Sequence, residues 1–310
     1  MGITHFDDAP ALDYEIGHIK GHWTALGEAA GSVTAGVRRI QVPAGGWSTP
    51  AHEHGADEEI FYVLAGRGRS WQKGRTTEIA TGDCIVYLVG RGAHTLHALE
   101  PLDVLAFGTR SRDAGVGFPR LGMSLVGKRA VESGPGAVDG APFQFVREAE
   151  LGPPELSEPG ERPATVVNLG DVEARHFGRG PVSSSVRDLG VAAGSQRTGI
   201  RHYEVDSDMN ATPAHCHSLE EEIFVILGGE GLLVLDEEET PVRPGHVIAR
   251  PAATGVSHMF RAGSGGLEFL AYGTRESGDM CFYPRSNKVS FRGLGVVARV
   301  ERLDYWDGED

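Results

Sequence analysis

Apolar residues in this chain come in short runs separated by turn-forming residues. Residues 60–64, 84–89, 104–107, 224–227, 232–235 and 247–249 are β-branched, aromatic or aliphatic stretches bounded by Gly, Pro or Asp, the mark of short strands joined by tight turns. In the run that opens at Glu59, alternation puts Glu59, Phe61 and Val63 on one strand face, a carboxylate beside an apolar wall. No long stretch is rich in Ala, Glu, Lys, Leu and Arg, and helix is expected to be scarce. The best candidate is segment 144–151, Gln-Phe-Val-Arg-Glu-Ala-Glu-Leu. The pattern predicts an all-β sandwich or barrel, and 44 Gly and 17 Pro in 310 residues supply the turns it needs.

The pattern occurs twice. Thr49-Pro-Ala-His-Glu-His54 returns as Thr212-Pro-Ala-His-Cys-His217, and Glu58-Glu59-Ile60-Phe61 as Glu221-Glu222-Ile223-Phe224, at an offset of 163. Leu26-Gly27 pairs with Leu189-Gly190, and Gly82 with Gly245, at the same offset. It then drifts to 165, so that Leu105 to Arg110 matches Leu270 to Arg275 and Phe118-Pro119-Arg120 matches Tyr283-Pro284-Arg285. A period this long means two copies of one domain rather than a solenoid. The boundary is placed near Glu150, giving halves 1–150 and 151–310 with a Pro, Gly and acid-rich exposed linker between them, and an acidic C-terminal tail. The two barrels are expected to pack about a pseudo-twofold axis.

The formal charge of −14 disfavours nucleic acid, polyphosphate and anionic membrane as partners. No stretch approaches the roughly 18 apolar residues of a spanning helix, and the N-terminus does not read as a signal peptide. Cys84, Cys216 and Cys281 are too widely spaced for a zinc ribbon or redox pair. A reduced, cytoplasmic protein is the simplest expectation.

Chemistry concentrates in His52, His54, Glu59 and His94 of copy one and in His215, His217, Glu222 and His258 of copy two. Residues i and i+2 of a strand share a face, so each His-x-His pair aims two imidazoles into one cavity, while the Glu and the last His arrive from later strands. Three imidazoles and one carboxylate suit a divalent transition metal, Mn, Fe, Ni, Cu or Zn, with one ion per half, and suit Ca or Mg poorly. Phe61, Leu96, Phe224 and Phe260 face the same cavities by alternation. Glu58 and Glu221 fall on the opposite, outward face, and His97 is expected at the rim.

With these residues in place, the sequence resembles the cupin superfamily, and within it the two-domain bicupins. The first cupin motif, Gly-x5-His-x-His-x3-4-Glu-x6-Gly, is matched by Gly46, His52, His54, Glu59 and Gly66. In copy two His215, His217, Glu222 and Gly229 match, with Met209 in place of the leading Gly. The second motif is matched more loosely, by Gly245, Pro251 and His258, and in copy one by Gly82 and His94 with Leu88 where Pro is usual. The resemblance implies two jelly-roll barrels, each with metal in its mouth. Membership alone does not decide activity; the site's donors point to a metal-dependent enzyme on a small polar organic substrate, in order of preference a dioxygenase or oxidase, a decarboxylase, an isomerase. No general base stands out apart from the ligands. Oxalate chemistry is disfavoured, because Thr49-Pro50-Ala51 and Thr212-Pro213-Ala214 precede the histidines where an oxalate-decarboxylase-like pattern has Arg. The alternative is a metal-containing cupin that binds or senses a small ligand without turnover. A homodimer is left open.

Other residues take structural expectations. Arg110 and Arg275 end a repeated strand and anchor loop carbonyls or a carboxylate between the halves. Cys216 points away from its flanking histidines into the core. Residues 236–239 form a solvated hairpin turn, and Tyr305 and Trp306 clamp the C-terminus onto a barrel.

Overall fold

A computed structural model describes residues 2–111, 115–126, 129–132, 137–138 and 143–309. The pairings between the strands of those residues are antiparallel, and they build two jelly-roll sandwiches. In the first, a seven-stranded sheet runs in the order Val166–Asn168, Asp83–Tyr87, Glu59–Ala65, Leu102–Thr109, Ala35–Val42, Ile19–Thr24, Ala11–Ile16. It packs on the three-stranded sheet His94–Ala98, Arg67–Gln72, Arg75–Ala80, and Phe61, Val63, Ile79, Leu96, Ala98 and Val104 fill the space between. In the second, Glu222–Leu235 and His258–Thr274 run unbroken through both layers, bending at irregularities between Ile226 and Gly228 and between Gly229 and Gly231. Phe224, Ile226, Leu233, Phe260, Leu267 and Phe269 form the corresponding core.

The strands are continuous apolar runs because both faces are buried. Ile60 and Tyr62, pointing away from Phe61 and Val63, join Leu105 and Phe107 in a third core shared with Ile223, Val225, Leu270 and Tyr272 of the other half. Phe107 stacks on Tyr272 with ring centroids 5.1 Å apart. The repeated Leu-Gly pairs begin the one-turn helices Leu26–Ala29 and Leu189–Ala192, whose leucines are fully buried in this shared core.

Glu58 and Glu221 do point away from the cavities, as alternation requires, but into the partner half rather than into solvent; each is 1% exposed. Glu221 accepts hydrogen bonds from the Val33 N–H (2.7 Å), the Ala35 N–H (2.8 Å), the Thr34 hydroxyl (2.6 Å) and the Thr34 N–H. Glu58 accepts from the Ser195 hydroxyl (2.8 Å), the Gln196 N–H (2.8 Å), the Thr198 hydroxyl (2.8 Å) and the Thr198 N–H. The reciprocity is that of a pseudo-twofold pair. Each copy also lends its first strand to the other: Gly2–His5 pairs with His246–Arg250, and Val166–Asn168 with Asp83–Ile85.

The longest helix among the described residues is Phe143–Leu151, where segment 144–151 predicts one. Its Phe145 meets Trp23 and its Glu148 pairs with Arg120 at 2.7 Å. Of residues 236–239 only Asp236 and Glu237 form the turn, and Glu238 and Glu239 already belong to the strand Glu238–Val242 that pairs with Glu222–Leu235. Asp236 is not merely solvated, since its carboxylate accepts from the Ser257 N–H and hydroxyl. Arg110 and Arg275 donate to the carbonyls of Ser32 and Ser195 respectively. The C-terminal clamp does not form: Tyr305 and Trp306 are 85% and 69% exposed, their ring contact is with each other, and the polar, Asp- and Gly-rich end forms no strand that would carry them to a sheet. No helix among the described residues is long and apolar enough to cross a membrane.

Candidate metal centres

Local backbone pairing sets the first histidines. His52 and His94 pair as an isolated antiparallel bridge, His52 N–H to His94 carbonyl at 3.1 Å and the reverse at 2.8 Å, so their rings lie side by side at 4.7 Å. His215 and His258 repeat this with the same two distances and rings 4.6 Å apart. The two-residue strands Glu53–His54 and Cys216–His217 carry the second histidine of each motif, and Glu59 and Glu222 open the strands behind them. Cys216 is buried, as expected of the residue between two inward-facing histidines.

All four predicted donors of each copy converge. Glu59 Oε2 lies 2.9 Å from His94 Nε2, 3.2 Å from His54 Nε2 and 3.7 Å from His52 Nε2. Glu222 Oε2 lies 2.9 Å from His258 Nε2 and 3.5 Å from His217 Nε2, and the donor atoms of His215, Glu222 and His258 fall within 4.8 Å of one another. The Nδ1–H groups of His52 and His215 donate to the carbonyls of Pro50 (2.9 Å) and Pro213 (2.8 Å), which turns each Nε2 lone pair inward. His217 is fixed by a different partner, its Nδ1–H donating to Asp279 at 2.6 Å.

Burial pushes the imidazoles of His94 and His215 down to about 4 and lowers that of His258. Burial acts the same way on His54 and His217, but Glu59 beside the first, and Glu222 and Asp279 beside the second, outweigh it and raise both. Burial alone would raise the two carboxyls; the histidines around them hold Glu59 and Glu222 well below the usual carboxylate range.

Several of these atoms close on one another without completing a hydrogen bond. His54 Nε2, His217 Nε2, His258 Nε2 and Glu222 Oε2 are buried without hydrogen-bond geometry to any described atom. Leaving such groups unmade is costly, and a cation at their common focus satisfies all of them. Nitrogen and oxygen donors of this kind fit a divalent transition ion.

Each cluster opens on a cavity, of about 500 Å³ in the N-terminal half and about 530 Å³ in the C-terminal half. Phe61 lines the first; Phe224 and Phe260 line the second, with rings 4.9 Å apart. Leu96 is fully buried in the core layer beneath, among Ile85, Ile79 and Val104. His97 is part-buried outside the residues that line the cavity, its ring 5.0 Å from that of Trp47.

The cavities differ in ways the motifs do not announce. Tyr87, opposite Glu59 in register, stacks on His94 at 3.8 Å, whereas buried Arg250 stands opposite Glu222. Glu220, Asp279, Cys281 and Tyr283 line only the C-terminal cavity, and Val116 and Phe118 the N-terminal one. Burial, with Glu222 nearby, raises the Glu220 carboxyl to about 7 although Arg292 pairs with it. These acid–base groups were illegible in the sequence because Glu220 precedes the strand and Tyr283 lies 61 residues past Glu222. The one signal was the match of Tyr283-Pro284-Arg285 to Phe118-Pro119-Arg120.

The cupin domain profile matches the chain twice, over residues 38–107 and 202–271, spans that contain all eight donors. Oxalate decarboxylase of Lactobacillus farciminis in a formate complex is 15% identical, with 88% of this chain and 86% of that one covered at a TM-score of 0.57. Oxalate decarboxylase of Bacillus subtilis at pH 4.6 is 16% identical, covering 88% and 75%, again at 0.57. A sugar phosphate isomerase from Silicibacter pomeroyi is 23% identical, covering 45% of this chain and 96% of that one at 0.40. No curated protein matches. At these identities the likeness is one of fold. Two profile matches on two jelly-roll halves, each with its own His-x-His and Glu, place the chain in the cupin superfamily as a two-domain member.

Proposed function

We propose that this bicupin is a metal-dependent enzyme acting on a small polar organic substrate, with dioxygenase or oxidase chemistry as the first assignment. The observation that carries the reading is the convergence, in both halves, of three imidazoles and a carboxylate on a cavity, with buried donor atoms that crowd together without completing hydrogen bonds. His52, His54, Glu59 and His94 would hold one ion, and His215, His217, Glu222 and His258 the other. A bound ion would supply Lewis-acid polarisation of substrate oxygens and, if Fe or Mn, redox access to dioxygen.

The chain's own groups set the rest. Phe224, Phe260 and Phe269 wall the C-terminal cavity and exclude water from one side. Arg201, paired with Asp188, and Tyr203 offer donors to substrate oxygens at the mouth. Glu220 and Tyr283 present exchangeable protons to the same space, so this half supplies the acid–base groups that the motifs lack. Oxalate is not carried over from the structural neighbours, because Thr212-Pro213-Ala214 leads into the C-terminal histidines and Thr49-Pro50-Ala51 into the others. Three free cysteines fit a cytoplasmic setting.

A second reading, ligand binding without turnover, is favoured by the N-terminal cavity, whose wall carries Val116 and Phe118 where the other carries a thiol and a phenol. Protein purified without chelator, assayed for metal and then for dioxygen consumption against acids, diols and enediols, separates the two. Consumption that disappears in Glu222→Gln supports the enzyme. Saturable ligand binding with no consumption across the panel supports the binding protein and overturns the enzymatic reading.

A further inference from the structure

The strand Met280–Tyr283 pairs with Cys216–His217, placing Cys281 opposite His217. In the other half Gly115–Phe118 pairs with Glu53–His54 and places Val116 opposite His54. The two positions are therefore equivalent, and one wall has changed character between the copies. Cys281 and Tyr283 alternate along one face of this strand and, with Asp279 just before it, line the C-terminal cavity; Ala114, Val116 and Phe118 occupy the matching sequence positions. The Cys281 sulfur and the ring nitrogens of His215 and His217 lie within 4.8 Å of one another, so side-chain adjustment brings all three onto one ion. Cys281 does not stand alone as the sign of a ligand here. The His217 side chain is 9% exposed, Asp279 takes its Nδ1–H, and its Nε2 points into the cluster, 3.5 Å from Glu222 Oε2 and without a hydrogen bond.

Resting on the reading of both cages as metal centres, we propose that the C-terminal cage takes a thiophilic transition ion with Cys281 as an added donor, while the N-terminal cage is confined to nitrogen and oxygen donors. On binding, a sulfur–metal bond forms and the thiol proton leaves to solvent, the ion's positive charge compensating the thiolate. Soft sulfur ligation shifts preference toward Zn, Cu or Co over Mn. Arg250, which replaces Tyr87 beside the glutamate, places a positive charge next to a cage that gains this second anionic donor.

The test is cobalt loading of the full chain, read by elemental analysis and by near-ultraviolet absorption. Wild type is expected to take two cobalt ions per chain and to show a thiolate-to-cobalt charge-transfer band. Cys281→Val, which installs the residue of copy one, and the near-isosteric Cys281→Ser should keep two ions and lose the band. His217→Ala should lose one ion and the band together, and Cys216→Ser should retain both. Two ions with no band in wild type, or a band surviving in either Cys281 variant, overturns the thiolate assignment and leaves the metal reading standing. Failure to take up any cobalt overturns both.

Discussion

His94 and His215 carry imidazoles that burial depresses to about 4, and His258 is depressed in the same direction. A histidine whose folded-state pKa lies below its unfolded value of about 6.5 binds fewer protons folded than unfolded across that interval. These three histidines should therefore make the metal-free chain lose stability as the pH drops from about 6.5 toward about 4, while His54 and His217, raised by their carboxylate neighbours, add stability that is lost as the pH rises above about 6.5. Denaturant midpoints of chelator-treated protein measured across this window should decline on acidification; a rising midpoint contradicts the burial of neutral imidazoles. Glu221 belongs to the same scale. Glu221→Ala strands three backbone N–H groups, those of Val33, Thr34 and Ala35, together with the Thr34 hydroxyl, and should cost about 2–4 kcal/mol in urea unfolding. Six of the eight residues were legible because each His-x-His and its Glu are tied by short, repeated spacings, and His94 and His258 because each follows at a similar distance in its copy. That Glu221 is buried was not, because alternation gives the face a side chain takes but not what lies beyond it.

At the level of elements, the turn between Glu59–Ala65 and Arg67–Gln72 depends on Gly66. Its φ is +89°, and an added Cβ would stand 1.9 Å from the Pro101 carbonyl oxygen. Gly229 repeats the arrangement at +69° and 2.2 Å from the Gly266 oxygen. The motif glycine thus lets a strand cross from one layer to the other against a neighbouring backbone. Gly66→Ala should lower stability by at least about 2 kcal/mol, since the left-handed backbone alone costs about 1–2 kcal/mol for an L-residue, and thermal unfolding would read the loss. The strand runs and the helix Phe143–Leu151 followed from local pattern. The strand Met280–Tyr283 did not declare itself as a cavity wall, because its orientation is set by pairing with Cys216–His217, more than 60 residues earlier.

Across the whole molecule the two copies are interlocked rather than strung together. Gly2–His5 completes the C-terminal sheet and Val166–Asn168 the N-terminal one, with the shared core of Phe107, Tyr272 and their neighbours between. A chain lacking residues 1–8 loses an edge strand whose ladder bonds contribute about 1 kcal/mol each. Its thermal midpoint should fall by roughly 5 °C or more. An unchanged midpoint would show that the exchanged strand adds nothing to the C-terminal half. For the same reason, a fragment covering 151–310 alone is expected to expose the apolar face of Ile223, Val225 and Leu270 and to aggregate, which light scattering would detect.

What the sequence by itself determined was everything local or repeated: short strands from runs and turns, a duplicated domain from the offset, two donor sets from His-x-His, Glu and a later His. These are carried by spacings of a few residues, or by likeness between copies, and neither requires knowing which strand lies beside which. Tertiary structure decided the reciprocal burial of Glu58 and Glu221, the exchange of first strands, and the divergence of the cavity walls into Asp279, Cys281 and Tyr283 on one side and Val116 and Phe118 on the other. Each depends on contacts between segments tens to hundreds of residues apart, whose pairing is selected by the packing of the whole and leaves no periodic trace along the chain.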